Sequence, residues 1–251
     1  VLASRPLSAT GETAGAAAQP RTWQTWLRYI FYLRYPILLL TLILGLPVWG
    51  RLLAGKLGDW MLEEVCRQLA VWRSAGLPPL TVAVNLAARH FRDRRLVERI
   101  QTLLLTYDLP PQALELELTE STLLETRSQI TETLSDLERL GVGLAIDDFG
   151  TGYSSLSYLK RLPLTALKID QSFVRDLVSN PDDRMLAATI TALGHGLGLK
   201  IVAEGVETDE QRRILLEQGC DLAQGYFFGR PMPAEEFATR MVSKPDLPGY
   251  N

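Results

Sequence analysis

Two adjacent carboxylates, Asp147 and Asp148, stand between an apolar run and a glycine-rich turn. The apolar run, residues 142–146, alternates in the manner of a strand, and the turn covers residues 150–152. Carboxylates at the end of a strand offer the hard oxygen ligands that divalent cations prefer. Glycines let the backbone approach a ligand closely. The pattern therefore predicts a site for a divalent cation and a phosphorylated ligand.

Polar or ionisable residues end the other predicted strands as well. The predicted strands are residues 81–86, 114–119, 142–147, 165–169, 199–203 and 222–226. Their C-terminal ends carry Asn85, Glu117, Glu120, Asp147, Asp148, Lys168, Asp170, Glu204, Glu207 and Gln224. Because the chain has only two histidines, these carboxylates and the amide favour Mg²⁺ or Mn²⁺. With one lysine to orient water or stabilise negative charge, the set is typical of two-metal phosphoester hydrolysis.

Structural roles are the alternative for several of these side chains. Asp170 and Glu207 could cap helices or accept hydrogen bonds from loop amides. Asn85 alone could be a turn residue. Glu115 shares one side of its strand with Glu117, and we expect it on a solvated face because one of the two suffices as a ligand.

Amphipathic helices separate the predicted strands. Apolar residues recur at helical spacing within residues 96–104 and 130–140, and Thr208 with Gln211 predicts a capping box. Regular alternation of strands and helices predicts a parallel sheet. Six such units favour part of a (β/α)8 barrel, an α/β fold with active sites at the C-terminal ends of its strands. A doubly wound open sheet is the alternative, although no GxGxxG follows a first strand.

The N-terminal region differs in composition from the rest of the chain. Residues 1–21 are rich in small and polar residues, which predicts disorder. Within residues 22–57, the uncharged run 35–50 would form a helix of about 24 Å, slightly shorter than a hydrocarbon core of about 30 Å. Flanking arginines and aromatic residues favour a membrane-spanning segment; an apolar element packed on the domain is the alternative. The barrel domain is then predicted at residues 58–243, with a tail at 244–251.

Charge and cysteine content exclude several classes of protein. The net charge is −3, with +5 in residues 1–58 and −8 in residues 59–251. An acidic domain without a basic stripe is not suited to binding a nucleic-acid polymer. Cys66 and Cys220 lack the spacing of metal ligands, and we expect buried, reduced thiols of a cytosolic protein.

Residues 58–240 resemble the EAL-domain family, bacterial phosphodiesterases of cyclic di-GMP. The resemblance is carried by the segments GDWMLEEVCRQLAVWRSAGLPPLTVAVNLAARHF, LELELTES, IDDFGTGYSSLSYLKRLPLTALKIDQSFV, LKIVAEGVET and CDLAQGYFFGRPMPAEEF. It implies a modified (β/α)8 barrel, similar to a TIM barrel. It also implies cleavage of cyclic di-GMP to the linear dinucleotide pGpG with Mg²⁺ or Mn²⁺.

The resemblance implies roles for individual residues. The implied metal ligands are Asn85, Glu117, Asp147, Asp148 and Glu204. Lys168 would hold the nucleophilic water, Glu204 would act as a ligand or base beside it, and Gln224 would position this network.

Further residues would support the site and connect it to an interface. Glu120 would brace the loop 148–159, which in the family links the metal site to a homodimer interface. Asp170 and Glu207 would support the loop and the network. His90 follows the family pattern without an implied chemical role.

The N-terminal region departs from the family pattern. The Glu-Ala-Leu signature that names the family is absent, and Glu12 is the only acid before residue 58. We therefore expect a barrel that lacks its first two strands and one metal ligand. The gap would be filled by residues 35–50, by another subunit, or not at all.

Three functional readings remain open at this point. The first is a cyclic di-GMP phosphodiesterase that is slow or inactive because a ligand is missing. The second is a non-catalytic module that binds cyclic di-GMP or a partner protein, and the third is a truncated product that does not fold alone. The expected location is the bacterial inner membrane with the catalytic part in the cytoplasm, or the cytoplasm. The arginines before residue 35 oppose that membrane orientation.

Overall fold

The computed structural model describes the backbone of residues 2–6, 27–30, 47–120, 122–123, 130–152 and 156–243, and side chains from residue 57 within these ranges except at 156 and 243. The described strands are β1 (Leu2–Pro6), β2 (Leu27–Ile30), β3 (Leu80–Asn85), β4 (Leu114–Thr119), β5 (Gly143–Phe149), β6 (Ala166–Ile169), β7 (Lys200–Ala203) and β8 (Leu222–Gln224). The described helices are α1 (Pro47–Ser74), α2 (Ala88–Arg92), α3 (Arg95–Thr106), α4 (Thr131–Leu140), α5 (Leu156–Leu159), α6 (Gln171–Arg175), α7 (Pro181–Gly196), α8 (Asp209–Glu217) and α9 (Ala234–Ser243). A 3₁₀ turn at Pro111–Ala113 leads into β4.

Six consecutive strands, β3 to β8, form a curled parallel sheet with the shape of a half-barrel. Each strand pairs with its neighbour in the chain, and helices separate successive strands. The register places Asn85 opposite Glu117, and Thr119 opposite Asp147. The predicted α/β barrel architecture is confirmed for these strands, whose bounds agree with the prediction to within about two residues.

Two short strands from the N-terminal region close the ring. β1 pairs antiparallel with β2 and β8, and β2 pairs parallel with β3. Ser4 lies opposite Gln224, and Leu27 lies opposite Leu80. The expectation of a barrel without its first two strands is corrected, because the N-terminal region supplies two strands at these positions. Unpaired backbone groups of a sheet edge accept an extended segment whatever its side chains, so composition did not reveal the pairing.

Parts of the predicted N-terminal organisation lie outside the described residues. The strand β1 falls in the stretch expected to be disordered, and residues 7–26 are not described. Most of the predicted membrane segment, residues 31–46, and the predicted tail are not described either. Among the described residues, no helix is both long and apolar enough to cross a membrane.

The strands separate two apolar layers. Leu114, Leu116 and Leu118 are fully buried and belong to the larger layer, which packs against the helices. A small interior layer consists of Ala145, Ala166, Val202 and Leu222. Because side chains alternate along a strand, Glu115 and Glu117 face away from the leucines and into the barrel. The expectation of a solvated Glu115 is therefore wrong: this residue is 1% exposed, since both sides of a barrel strand are covered.

Helix caps fix the connections that follow the strand ends. Asp170 caps α6 through its Oδ1, which accepts a hydrogen bond from Ser172 N at 2.9 Å. The predicted capping box at the start of α8 is confirmed, with Thr208 Oγ1 accepting from Gln211 N at 3.2 Å. Each cap satisfies an otherwise unpaired amide of a first helical turn. Both caps therefore set where the chain leaves the C-terminal rim of the sheet.

Candidate active site

A buried lysine occupies the centre of the strand-end residues. Lys168 is 1% exposed, and its Nζ lies 2.8 Å from Glu117 Oε1 and 3.0 Å from Asp147 Oδ1. It also forms an ion pair with Glu204. The four residues lie on β4, β5, β6 and the end of β7, and the parallel register brings them to one level. Four positions far apart in the sequence therefore form one charged cluster.

Two amides connect the carboxylates of this cluster. Asn85 Nδ2 donates to Glu117 Oε2 at 2.9 Å and to Asp147 Oδ2 at 3.2 Å. Gln224 Nε2 donates to Glu204. The predicted ligands and catalytic residues on β3 to β8 thus meet at the C-terminal rim, although their roles stay predictions.

The backbone brings Asp148 to the same side of the sheet as Asp147. Adjacent residues of a regular strand point to opposite faces. Here the pairing of β5 with β6 shifts register between Ile146 and Phe149, and Asp148 adopts a positive φ of 55°. Aspartate tolerates this left-handed region better than most residues, although such conformations cost on the order of 1–3 kcal/mol. The irregularity lets two successive carboxylates serve one site.

Three carboxylates are close enough to hold a cation together. Ligand oxygens of Asp147, Asp148 and Glu204 lie within 4.8 Å of one another. Asp148 is partly exposed, which leaves a side of the group open to solvent and ligands. Because the donors are all oxygens, the residues fit Mg²⁺ or Mn²⁺.

Burial dominates the electrostatics of the cation-free cluster. Desolvation raises the pKa of Glu117 to about 8, although the Lys168 ammonium opposes the shift. Desolvation likewise raises the pKa of Glu204 to about 7. The pKa of Asp148 rises to about 6, through desolvation first and then the nearby Asp147 carboxylate. One ammonium does not balance so many carboxylates, which is why burial raises these pKa values although Lys168 opposes the shift.

Glu120 lies against the loop that it is predicted to brace. Its Oε2 accepts hydrogen bonds from Gly150 N at 3.1 Å and from Gly152 N at 3.2 Å. A Cβ at Gly152 would lie 3.0 Å from the Glu120 carboxyl carbon, so glycine makes room for this contact. Residues 153–155 of the loop lie outside the described residues.

The remaining predicted residues divide between the rim and the solvent. Asp170 is buried, caps α6 and lies beside Asp148, whose pKa it helps to raise. Glu207 has an exposed side chain, and its backbone N donates to Gln211 Oε1 at 2.8 Å. Asp170 therefore has the capping role that the sequence left open and also touches the site. The hydrogen bond of Glu207 is made by its backbone, so the role of its side chain stays a prediction.

A glycine outside the predicted set positions Gln224. Val206 N donates to Gln224 O at 3.0 Å, and a Cβ at Gly225 would lie only 2.1 Å from Val206 O. Gly225 thus allows the end of β8 to lie directly against the segment that follows Glu204. A glycine immediately after a strand end is the sequence signal that would have identified it.

Comparisons with known proteins agree with this arrangement. The family profile described as EAL domain matches residues 45–231. The bifunctional diguanylate cyclase/cyclic di-GMP phosphodiesterase MucR of Pseudomonas aeruginosa is 48% identical over 181 residues, which cover 72% of this chain and 26% of that protein. The signaling protein YkoW of Bacillus subtilis is 44% identical over 189 residues, covering 75% of this chain and 24% of YkoW. The chain spans about a quarter of the length of these relatives.

A solved structure shows the same fold over nearly the whole chain. The structure described as PaMucR phosphodiesterase in complex with c-di-GMP superimposes with a TM-score of 0.74 at 40% identity. The superposition covers 94% of this chain and 93% of that one. With the family profile covering most of the residues, the chain belongs to the EAL-domain family.

Proposed function

We propose that the chain is a cation-dependent phosphodiesterase module that hydrolyses cyclic di-GMP to pGpG. The observation that carries the proposal is the Lys168 centre, in which Glu117, Asp147 and Glu204 surround one ammonium. The relative MucR is named for this activity, and a MucR structure is described as a c-di-GMP complex. The substrate is therefore inferred from the relatives, the product pGpG from the family resemblance, and the chemistry from the residues.

Hydrolysis requires a water molecule that attacks phosphorus and a group that receives its proton. Lys168 lies within contact of three carboxylates at the bottom of the site and orients the water from there. Glu204 lies in contact with Lys168 and accepts the proton of the water. The water oxygen bonds to phosphorus while the bond between phosphorus and the ester oxygen breaks. The ester oxygen leaves with a proton taken from solvent, and Glu204 returns the proton it accepted to solvent. Bound Mg²⁺ or Mn²⁺ would supply stabilisation of the negative charge on phosphorus-bound oxygens.

Asp147, Asp148 and Glu204 would hold the cation. Asn85 and Glu117 lie beside this group, but the stretch from Leu27 to Leu57 contains no Asp or Glu that could complete a second full set of ligands. We therefore expect tight binding of one cation and a slow enzyme. The same observation favours a second candidate function, a non-catalytic module that binds cyclic di-GMP or a partner protein.

Two finer features of the function are also proposals. The loop 148–159 would connect the site to a homodimer interface, because Glu120 ties its first residues to the end of β4. Residues 35–50 would attach the chain to the surface of the bacterial inner membrane with the barrel in the cytoplasm, without crossing it, because β2 and β3 on either side of them belong to one barrel. A cytoplasmic protein is the alternative. Sedimentation of the purified chain and fractionation of expressing cells test these two features.

The decisive experiment is turnover of cyclic di-GMP by the purified chain with Mn²⁺, followed as pGpG by chromatography. The Glu204→Gln variant is the matched control, since it keeps the size of the side chain and removes its charge. Turnover by the wild type that is lost in the variant would support the phosphodiesterase. A folded wild type that binds cyclic di-GMP but does not exceed the variant in turnover would support the binding module instead.

A further inference from the structure

The side chain of Gln211, in the first turn of α8, uses its whole hydrogen-bonding capacity. Gln211 is buried, and its Oε1 accepts hydrogen bonds from Glu207 N at 2.8 Å and from Thr208 N at 3.0 Å. Its Nε2 donates to Val174 O at 3.1 Å and to Arg175 O at 3.2 Å, at the end of α6. A primary amide has two donors and two acceptor positions, and all four are used here.

Only one half of this pattern belongs to the cap of α8. A capping box needs a side-chain acceptor at the third helical position, and a glutamate serves there as well as a glutamine. Donation to the carbonyls of α6 needs the amide nitrogen, which a carboxylate lacks. The contact with α6 therefore explains why this residue is a glutamine.

These bonds join two segments that carry opposite charges of the candidate active site. The segment 204–208 begins with Glu204, and α6 follows the end of β6, which carries Lys168. The two segments also touch at the start of α6, where a Cβ at Gly205 would lie only 2.7 Å from the Cβ of Gln171. The segment after Glu204 is thus in contact with both ends of α6.

The carboxylates of the site do not hold this arrangement by themselves. Ligand oxygens of Asp147, Asp148 and Glu204 lie within 4.8 Å of one another, and like charges at that distance repel. The pairing of β7 with β6 ends at Ala203, immediately before Glu204. The chain beyond that point needs other contacts to fix its position, and groups behind metal ligands commonly supply them.

We propose that Gln211 is a positioning residue, which holds the Glu204 carboxylate in place by tying the segment 204–208 to α6. The proposal rests on the proposed function and adds a residue outside the cation ligands and the Lys168 centre. Gln211 acts through the backbone of this segment and not through contact with the substrate. Loss of its bonds to α6 should therefore weaken the cation site and slow the chemical step while the fold is kept.

A matched pair of variants separates positioning from stability. Gln211→Glu keeps the acceptors of the capping box, loses the donation to α6 and places a carboxylate oxygen against two carbonyl oxygens. Gln218→Glu is the control, because Gln218 Nε2 donates to Arg184 O at 2.9 Å and thereby ties the other end of α8 to α7. The substitution and the kind of bond lost are the same, but only the first change lies beside the segment that carries Glu204.

Calorimetry of Mn²⁺ binding without nucleotide is the first measurement, since it does not need turnover. We expect Gln211→Glu to weaken the affinity about 10-fold and Gln218→Glu to change it less than about 2-fold. With Mn²⁺ in excess, Gln211→Glu should lower kcat for cyclic di-GMP about 10- to 100-fold and change KM less than about 3-fold. Gln218→Glu should keep both kinetic constants.

Thermal unfolding in EDTA shows whether the variants fold. If Gln211→Glu does not fold, Gln211→Met, which is uncharged and of similar length, takes its place with the same expected losses. A folded Gln211 variant with the Mn²⁺ affinity and kcat of the wild type would overturn the proposal. Equal losses in Gln218→Glu, or failure of both Gln211 variants to fold, would overturn it as well. A wild type that binds Mn²⁺ without cleaving cyclic di-GMP would refute the proposed function instead, and the Mn²⁺ affinities would still decide on Gln211.

Discussion

The six strands β3 to β8 and the two strands β1 and β2 contribute unequally to the site. Strands β3 to β8 carry an ionisable or amide residue near each C-terminal end, and these residues meet around Lys168. Strands β1 and β2 complete the ring by backbone pairing, but neither contains an Asp or Glu. Closing a barrel and equipping an active site are thus separable requirements: the first needs only extended backbone, and the second needs particular side chains.

Removing the central ammonium, which lies among the strands that carry the site, should have the largest effect of all the changes on activity. We expect Lys168→Met to lower turnover of cyclic di-GMP by about 10³-fold or more, because three carboxylates lose their common partner and the water loses its orienting group. Initial rates of pGpG formation measure the effect. Lys200→Met, which changes an exposed lysine at the opposite end of the strands, is the control and should keep the wild-type rate. Equal rates for all three proteins would mean that the chemistry lies elsewhere.

Cation binding should depend on β5 rather than on the N-terminal strands. We expect calorimetry to show one tight Mn²⁺ per chain and Asp148→Asn to weaken it by about 10-fold or more, since one of three close carboxylates loses its charge. Asp182→Asn, at an exposed position in α7, should bind as the wild type does. Two Mn²⁺ ions bound with equal affinity would show that another group takes the place of the absent Glu of the Glu-Ala-Leu signature.

Disrupting the pairing of β2 should lower thermal stability and leave the binding of Mn²⁺ nearly unchanged. A proline at Tyr29 removes a backbone donor in the middle of β2, so we expect Tyr29→Pro to lower Tm by several degrees. Its affinity for Mn²⁺ should change less than about 3-fold, because the cation ligands lie on other strands. Tyr29→Val, which keeps the donor, serves as the matched control for thermal unfolding. A Tm equal to that of this control would argue against the pairing of β2 with its neighbours β1 and β3.

The pH dependence of stability should be the smallest of these effects. It should decrease when a divalent cation is bound. The folded pKa values of Glu117 and Glu204 lie above those of unfolded glutamate, near 4.5, so the folded state holds more protons between pH 4.5 and about 8. Stability in EDTA should therefore decrease as pH rises through this window, by a few degrees of Tm between pH 6 and 8.5. Added Mn²⁺ should reduce the slope, and Glu117→Gln should reduce it without Mn²⁺. A Tm that rises with pH in EDTA would contradict the raised pKa values.

The strands of the half-barrel could be predicted because their signals are local. Alternating apolar residues and polar strand ends predict Glu117, Asp147 and Lys168 at one rim of the sheet. The burial of Glu115 could not be predicted in this way, because alternation gives the side of a strand but not what covers that side. The pairing of β1 and β2 was missed for a related reason, since backbone hydrogen bonds leave little trace in composition.

The amino-acid sequence by itself determined which chemical groups this protein has at its strand ends, and that the stretch from Leu27 to Leu57 offers no acid. Only the tertiary structure decided that Lys168 becomes the buried centre of three carboxylates and that Asp148 turns to the side of Asp147. Residue types and periodicity are properties of short segments, whereas these contacts join residues from four different strands. They exist because the register and curl of the sheet bring those strand ends together.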